Sequence, residues 1–420
     1  MQQYATFFQI CLAFYCVTSF GFSFSPLRAI AYFLIFRSAF AVAGFLQIPS
    51  IAGMQFFLPA ILCLLLPAFI SILKSEHSIR FNSPVLFYLL FIALMVINGF
   101  LLSLDGANLE GVIEEASKSI FPFLAYILVY YGLKNDSDFL RAGKYFMLIG
   151  IIPMLTAFAS LITGIGYNYE TDSFGPLYIA PAGTLIGRNL FGIFLALSLF
   201  HALPYMLQNK NKTNLLYILA LIASIIISRN RGTWLSLLIA FMISLPLFKR
   251  HIKPGKWLLG LMAVVMLGSP VFVSRFSQLS EYDEWGQKQD TASGRLETAE
   301  SIFNKAMESP LLGNGPFSFR NPFTTKTLPH NDYLRIACEY GFPVMFVYIL
   351  FFISQLAWTI KHRNDRLWPY QFASCGAQIY IIIISMAQNV VGDTILYMLL
   401  FALIALSHRA STISNQETSK

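Results

Sequence analysis

Residues 84–104 read PVLFYLLFIALMVINGFLLSL, a stretch without one charged side chain. A bilayer's hydrocarbon core is crossed by a helix of roughly 20 apolar residues, so this stretch reads as a membrane span. Runs of the same character recur near 5–24, 29–48, 51–73, 120–133, 145–165, 190–207, 215–228, 232–248, 257–273, 333–357, 368–390 and 394–407. Some are short, and the first three can be divided differently. Irregular backbone and open sheet edges cannot face lipid, and these runs are far longer than barrel strands. The expected fold is therefore all-α, a polytopic transmembrane helix bundle of about 12 spans.

Composition agrees. The 420 residues are 56% hydrophobic and 12% charged, with 40 Phe and 20 Tyr, and the mean hydropathy is +0.62. Soluble proteins average about 45–50% apolar and about 25% charged residues. A soluble globular enzyme, a disordered chain and a fibrous repeat are excluded. The first 25 residues lack a basic n-region and an obvious small-residue cleavage site, so a first span is expected there rather than a removed signal peptide. Cys11, Cys16, Cys63, Cys338 and Cys375 are scattered through apolar runs in no disulfide or metal-site spacing; each reads as a small buried hydrophobe.

Orientation follows from basic residues in the short loops. Loops 74–83, 134–144, 208–214, 249–256 and 361–366, with the tail 408–420, hold 16 Lys and Arg. The opposite loops, 105–119, 167–189, 229–231, 274–329 and 391–393, hold 10 over about twice the length, with most of the acid, including Glu110, Glu114, Glu115 and seven carboxylates from Glu281 to Glu308. The first set is expected to be cytoplasmic, with the C-terminus inside. The net charge of +8 is thereby accounted for without nucleic acid. The chain divides into N-terminal transmembrane helices 1–228, a region 229–407 that includes the large extracytoplasmic loop 274–329, and a cytoplasmic tail 408–420. That loop should contain short helices. One is expected at 294–308, with Leu296, Ala299, Ile302, Phe303 and Ala306 on one face, ended by Ser309-Pro310. The loop reads as a folded cap over the outer mouth of the bundle.

Four polar features lie at the outer boundary. Ser228 to Trp234 (SRNRGTW) is a tight turn with two arginines; lipid-headgroup anchoring competes there with bidentate anion binding by Arg229 and Arg231. Gly187-Arg188-Asn189 ends another outer loop, where a capping or headgroup role stands beside a functional one. Ser293 to Glu297 (SGRLE) places Arg295 at a helix start, where a solvated Arg–Glu pair is the plain alternative. Pro329 to Arg335 (PHNDYLR), followed by Glu339-Tyr340-Gly341, opens a span with His330, a side chain able to accept a proton near neutral pH, although a single histidine is commonly structural. Asp136-Ser137-Asp138 and the sequons at Asn135 and Asn211 sit in cytoplasmic loops and are read as chance. Glu281, Asp283 and Glu284 read as a solvated acidic loop rather than a Ca²⁺ site. No metal ligand set and no cofactor motif is found.

The order of the RNRGTWL, SGRLE to PLLGNGP, and PHNDYLR to EYG segments, spanning about 220–350, resembles the O-antigen ligase and O-antigen polymerase superfamily. The resemblance implies a metal-independent glycosyltransferase of the bacterial inner membrane with its active site on the periplasmic face. It would move a glycan from undecaprenyl pyrophosphate to a sugar hydroxyl during O-antigen or related surface polysaccharide assembly. It implies His330 as the catalytic histidine, and Arg231 (or Arg229) with Arg295 as ligands of the donor's pyrophosphate; Arg188 is added on position alone. Donor, acceptor glycan (a lipid-linked repeat or lipid A core) and membrane lipid are the implied partners, with a chain-length regulator or flippase beside them. Repeat-unit polymerase is slightly favoured, ligase is the alternative, and a lipid-linked saccharide transporter or flippase is a second. Against the transporter, no matching Gly/Pro-broken halves are found. A non-catalytic scaffold predicts that the arginines and His330 are dispensable.

Overall fold

The computed structural model describes residues 25–44, 83–104, 109–163, 167–168, 180–181, 188–228, 230–253, 255, 291–318 and 330–418. Apart from a two-residue antiparallel ladder, Tyr167–Asn168 against Ala180–Pro181, the described elements are helical. They are α1 (Pro26–Gly44), α2 (Ser83–Leu104), α3 (Leu109–Gly132), α4 (Asp136–Met147), a 3₁₀ turn (Leu148–Gly150), α5 (Ile151–Thr163), α6 (Arg188–Gln208), α7 (Lys212–Ile227), α8 (Arg231–Leu247), α9 (Thr291–Glu308), α10 (Asp332–Tyr340), α11 (Phe342–Lys361), α12 (Trp368–Ile384) and α13 (Thr394–Thr418). The all-α expectation holds. Five stretches are long and apolar enough to cross a membrane: Ser83–Leu104, Asp136–Ala159, Asn189–Gln208, Phe342–Lys361 and Thr394–Ile413. Pro26–Ile35, Lys212–Ile227 and Arg231–Leu247 are shorter apolar helices. The runs at 5–24, 51–73 and 257–273 lie outside the described residues.

The bundle has a dry centre and an apolar exterior. On α12, Tyr370 through Ile381 are buried without a break, and α6 and α13 are similarly enclosed. Leu86, Leu90, Ile97 and Phe100 of α2, Leu215, Leu216 and Leu219 of α7, and Phe346, Leu350 and Ile353 of α11 face outward. That arrangement suits helices whose outer stripe meets lipid rather than water. Some polar groups within the centre partner one another: His408 meets Gln355 Oε1 at 2.7 Å and the Tyr126 hydroxyl at 2.9 Å, and Gln371 donates to Ser411 Oγ at 2.8 Å.

Several boundaries differ from the sequence expectation. The run 333–357 is two helices, broken at Gly341, so the apolar span begins at Phe342. The segment 408–420 is no loose tail: α13 continues to Thr418, with His408 buried and the Arg409 guanidinium donating to Leu133 O at 2.7 Å. The acidic outer loop 105–119 is helix from Leu109 onward. Helix α9 is found, but Phe303 stays exposed, edge-on to Phe342, while Ile302 and Ala306 pack on Ala337 and Cys338. The discounted motifs are helix caps. Asn135 and Asp138 form a reciprocal capping box on α4, and Asn211 accepts from the Asn214 N–H on α7 at 2.7 Å. Cys338 and Cys375 are buried and free.

The PLLGNGP and EYG segments form one interlocked unit. Asn314 and Gly315 N–H groups donate to Cys338 O (2.8 Å) and Glu339 O (3.0 Å), and Phe342 N–H donates to Pro310 O at 2.9 Å. Gly313 (φ +80°), Gly315 (φ +91°) and Gly341 (φ +88°) occupy left-handed backbone. A Cβ on Gly341 would land on the Leu311 carbonyl, and one on Gly313 on the Glu339 carbonyl. Left-handed backbone costs an L-residue roughly 1–2 kcal/mol, and overpacking adds typically about 1–3 kcal/mol. Gly341→Ala should therefore lower stability by about 3 kcal/mol, read as a lower melting temperature of the detergent-solubilised protein; a melting temperature equal to wild type would contradict the interlock.

Candidate functional site

Three helix starts meet around the C-terminal end of α12. Helix α8 begins at Arg231, after Asn230, whose side chain accepts from the Thr233 N–H at 3.1 Å and donates to Asn189 O at 3.2 Å. That second bond ties the start of α8 to the start of α6, which begins at Arg188. Gly192 permits the approach, because a Cβ there would stand 3.0 Å from both Ser228 Oγ and Thr233 Oγ1. Helix α10 begins at Asp332 behind Asn331, which caps the Leu334 N–H at 3.1 Å. The end of α12 links the groups. Tyr380 donates to Thr233 Oγ1 at 3.3 Å, and a Cβ on Gly232 would sit 3.2 Å from Ile384 Cδ1. On the other side, the Asp332 N–H donates to Ser385 O at 2.8 Å and the Tyr333 hydroxyl to Ile382 O at 2.9 Å.

The turns carrying Arg231 and His330 therefore flank the same short piece of chain, and the Arg188 backbone lies beside the first of them. Arg231 and His330 are both partly exposed. Arg188 and Arg295 are placed as backbone only, in α6 and α9, and Arg229 lies outside the described residues. Arginine at the first residue of a helix opposes the macrodipole, by about 0.3–1 kcal/mol. The starts of α6 and α8 stand side by side, and the N–H groups of helix N-termini suit an anion.

Beneath His330 lies an ion cluster that sequence reading did not assign. Arg335 is 5% exposed; its Nη2 is 3.0 Å from Glu115 Oε2, and its Nε is 3.1 Å from Glu339 Oε2. Glu115 is 3% exposed and Glu339 1%. Lys118 pairs with Glu115 at 3.0 Å and Glu114 at 2.7 Å, and the Phe317 N–H donates to Glu339 at 2.8 Å. Glu115 is thus a buried structural partner and not a solvated loop acid. Spacing alone supplied half of this signal, since Arg335 and Glu339 are an i, i+4 pair on one helix; Glu115 lies 220 positions away and offered none. Burial lifts Glu339 to about 7, the Arg335 charge pulling it down and Glu115 pushing it further up. Asp332, fully buried, is lifted to about 6 by burial against the opposing pull of the Val390 N–H and the Arg335 charge.

Removing one partner of a buried ion pair costs about 3–5 kcal/mol, so Glu115→Ala should cut the melting temperature sharply, by more than Glu114→Ala. The pH dependence has a definite sign. Glu339 ionises less readily folded than unfolded, so its contribution is fully present below its ordinary value of 4.5 and is lost as pH rises through about 7. Glu339→Gln keeps the neutral form and should match wild type at acid pH while out-melting it above neutrality; a constant offset at all pH values would refute the assignment.

Residues 216–349 match a family model described as O-antigen ligase. No curated protein matches the chain. The matched segment takes in Arg231, Arg295, His330 and the interlocked glycine turn; it leaves out Arg188, Glu115 and the connection after α12. Over that stretch, about a third of its length, the chain is similar to the O-antigen ligase family.

Proposed function

We propose that the protein is a glycosyltransferase that moves a glycan from a polyprenyl-pyrophosphate carrier to a sugar hydroxyl at the outer face of the bacterial inner membrane. The observation that carries the reading is the shared wall: the turns bearing Arg231 and His330 both pack on the end of α12, within or beside a segment that matches an O-antigen ligase model. Breaking the anomeric bond leaves pyrophosphate with growing negative charge. Arg231, with Arg295 and Arg188, stabilises that charge in place of a metal, since guanidinium grips phosphate oxygens bidentately. His330 accepts the proton of the attacking hydroxyl, a task suited to an imidazole. The polyprenyl tail lies in lipid beside the bundle, and a single displacement inverts the anomeric centre.

About 12 spans, a periplasmic 274–329 cap, an inside C-terminus and the division at 228 and 407 belong to the same proposal. The excess of basic residues at the starts of α4 and α7 and the end of α11 supports a cytoplasmic position for them, opposite His330. Repeat-unit polymerisation is slightly favoured over ligation to lipid A core, with an undecaprenyl-linked repeat as donor and a chain-length regulator or flippase as neighbours.

The experiment is a surface-glycan gel from a strain lacking the gene, complemented with wild type, His330→Ala or Arg231→Ala. A core bearing one repeat unit in the deletion identifies a polymerase; a bare core with long chains left on the lipid carrier identifies a ligase. Donor stranded in the inner leaflet identifies the flippase instead. His330→Ala should abolish complementation, and Arg231→Ala should cost on the order of 10²–10³ in transfer rate, by analogy with other preorganised charge-stabilising donors. Full glycan from His330→Ala would defeat the catalytic assignment.

A further inference from the structure

The connection from α12 to α13, residues 385–393, lies beyond the matched segment and holds no arginine, histidine or lysine. It is nonetheless the piece of chain that the site is assembled on. Asp332 accepts from the Val390 N–H at 2.9 Å and the Val391 N–H at 3.1 Å. Arg335 lies against Gly392, where a Cβ would stand 2.6 Å from Nη1. Two residues of α10, the helix that His330 precedes by two residues, thus clamp the connection from one side. From the other side it reaches the Arg231 turn, with Gln388 Nε2 4.0 Å from where a Cβ on Gly232 would stand.

Gln388 is 6% exposed, and among the described residues its carboxamide has no hydrogen-bond partner. The neighbouring Asn389 has a fully buried Oδ1 that is also without a partner. Leaving the buried Asn389 oxygen unsatisfied is costly. Two adjacent carboxamides with spare capacity, set between the histidine turn and the arginine turn, have the chemistry of a ligand-binding pair. A carboxamide is neutral and carries both donors and an acceptor. That complements hydroxyl groups, which donate and accept, whereas phosphate is served by the arginines alongside.

We infer that Gln388 and Asn389 form the subsite for the acceptor sugar, binding hydroxyls next to the one that attacks. The inference rests on the glycosyl-transfer reading above. Clamping by Asp332 and Arg335 makes this subsite rigid relative to His330, so the attacking hydroxyl and its proton acceptor are positioned by one continuous framework.

The test uses the full-length protein in proteoliposomes, with undecaprenyl-pyrophosphate-linked repeat unit from the source strain held saturating. The acceptor, either a short-chain-lipid repeat or lipid A core, is varied. Gln388→Ala and Asn389→Ala should each raise the acceptor KM about tenfold, the worth of one lost hydrogen bond to a sugar, with kcat and donor KM within about twofold of wild type. Gln388→Glu and Asn389→Asp keep side-chain shape and should show the same KM rise if the alanine variants fail to fold. Unchanged acceptor KM, or a loss confined to kcat, overturns the subsite while leaving the transferase reading in place. Absence of transfer by wild type with both acceptors overturns that reading and the subsite with it.

Discussion

The buried charge of Arg335 is the constraint around which this end of the molecule is organised. A guanidinium cannot be deprotonated at any relevant pH, and burying it without compensation is prohibitive. Compensation comes from two places in the chain, Glu339 one turn along α10 and Glu115 on α3, while the bare backbone at Gly392 lies against the guanidinium. Each recruits an element. Glu115 brings α3, Glu339 brings the glycine turn through the Phe317 N–H, and Gly392 brings the connection that reaches the Arg231 turn. Such clusters add little net stability relative to an apolar replacement. What this one supplies is a defined position for α10, and His330 lies two residues before that helix.

Backbone-to-backbone packing does the complementary task. The PLLGNGP turn and the EYG corner approach so closely that no Cβ fits at Gly313 or Gly341. Asn98, on a helix long and apolar enough to span, donates to Tyr340 O at 2.8 Å. The break at Gly341 therefore has a physical cause: left-handed backbone ends α10, and the chain restarts as α11 in a new direction. Two motif segments that read as separate in the sequence are one object in space, with glycine required on both faces.

Much of this was legible from residue patterns, and the failures are instructive. Helix existence, the α9 segment and the grouping of RNRGTW with PHNDYLR follow from apolar periodicity and from polar residues at expected span ends. Hydropathy could not locate the break at Gly341, because Ile336, Ala337 and Cys338 of α10 are as apolar as a span, although Ala337 and Cys338 pack on α9 and Ile336 in the bundle core. The burial of Glu115 was hidden for the opposite reason. Its carboxylate looks solvated beside Glu114 and Lys118 until the distant Arg335 is placed against it. Gln388 and Asn389 gave no signal, since neutral carboxamides near a span end carry neither charge nor spacing.

The electrostatics of the site explain why the arginines stand where sequence rules disfavour them. Helix N-termini already carry positive potential, and Arg188 and Arg231 occupy the first residues of α6 and α8, where acids are the usual choice. The Asn230 side chain, donating to Asn189 O, holds the two helix starts together. On the proposed reading, positive potential gathered at these starts would be offset by a di- or trianionic ligand. In a leaving-group reaction the negative charge on that ligand increases as the bond breaks, so the same field acts more strongly on the transition state than on the bound donor. That difference, and not tight binding of the donor, is what accelerates a reaction. On the proposed reading, a scaffold stiff enough to hold those charges is part of the chemistry, and the buried ion cluster and the glycine interlock supply that stiffness.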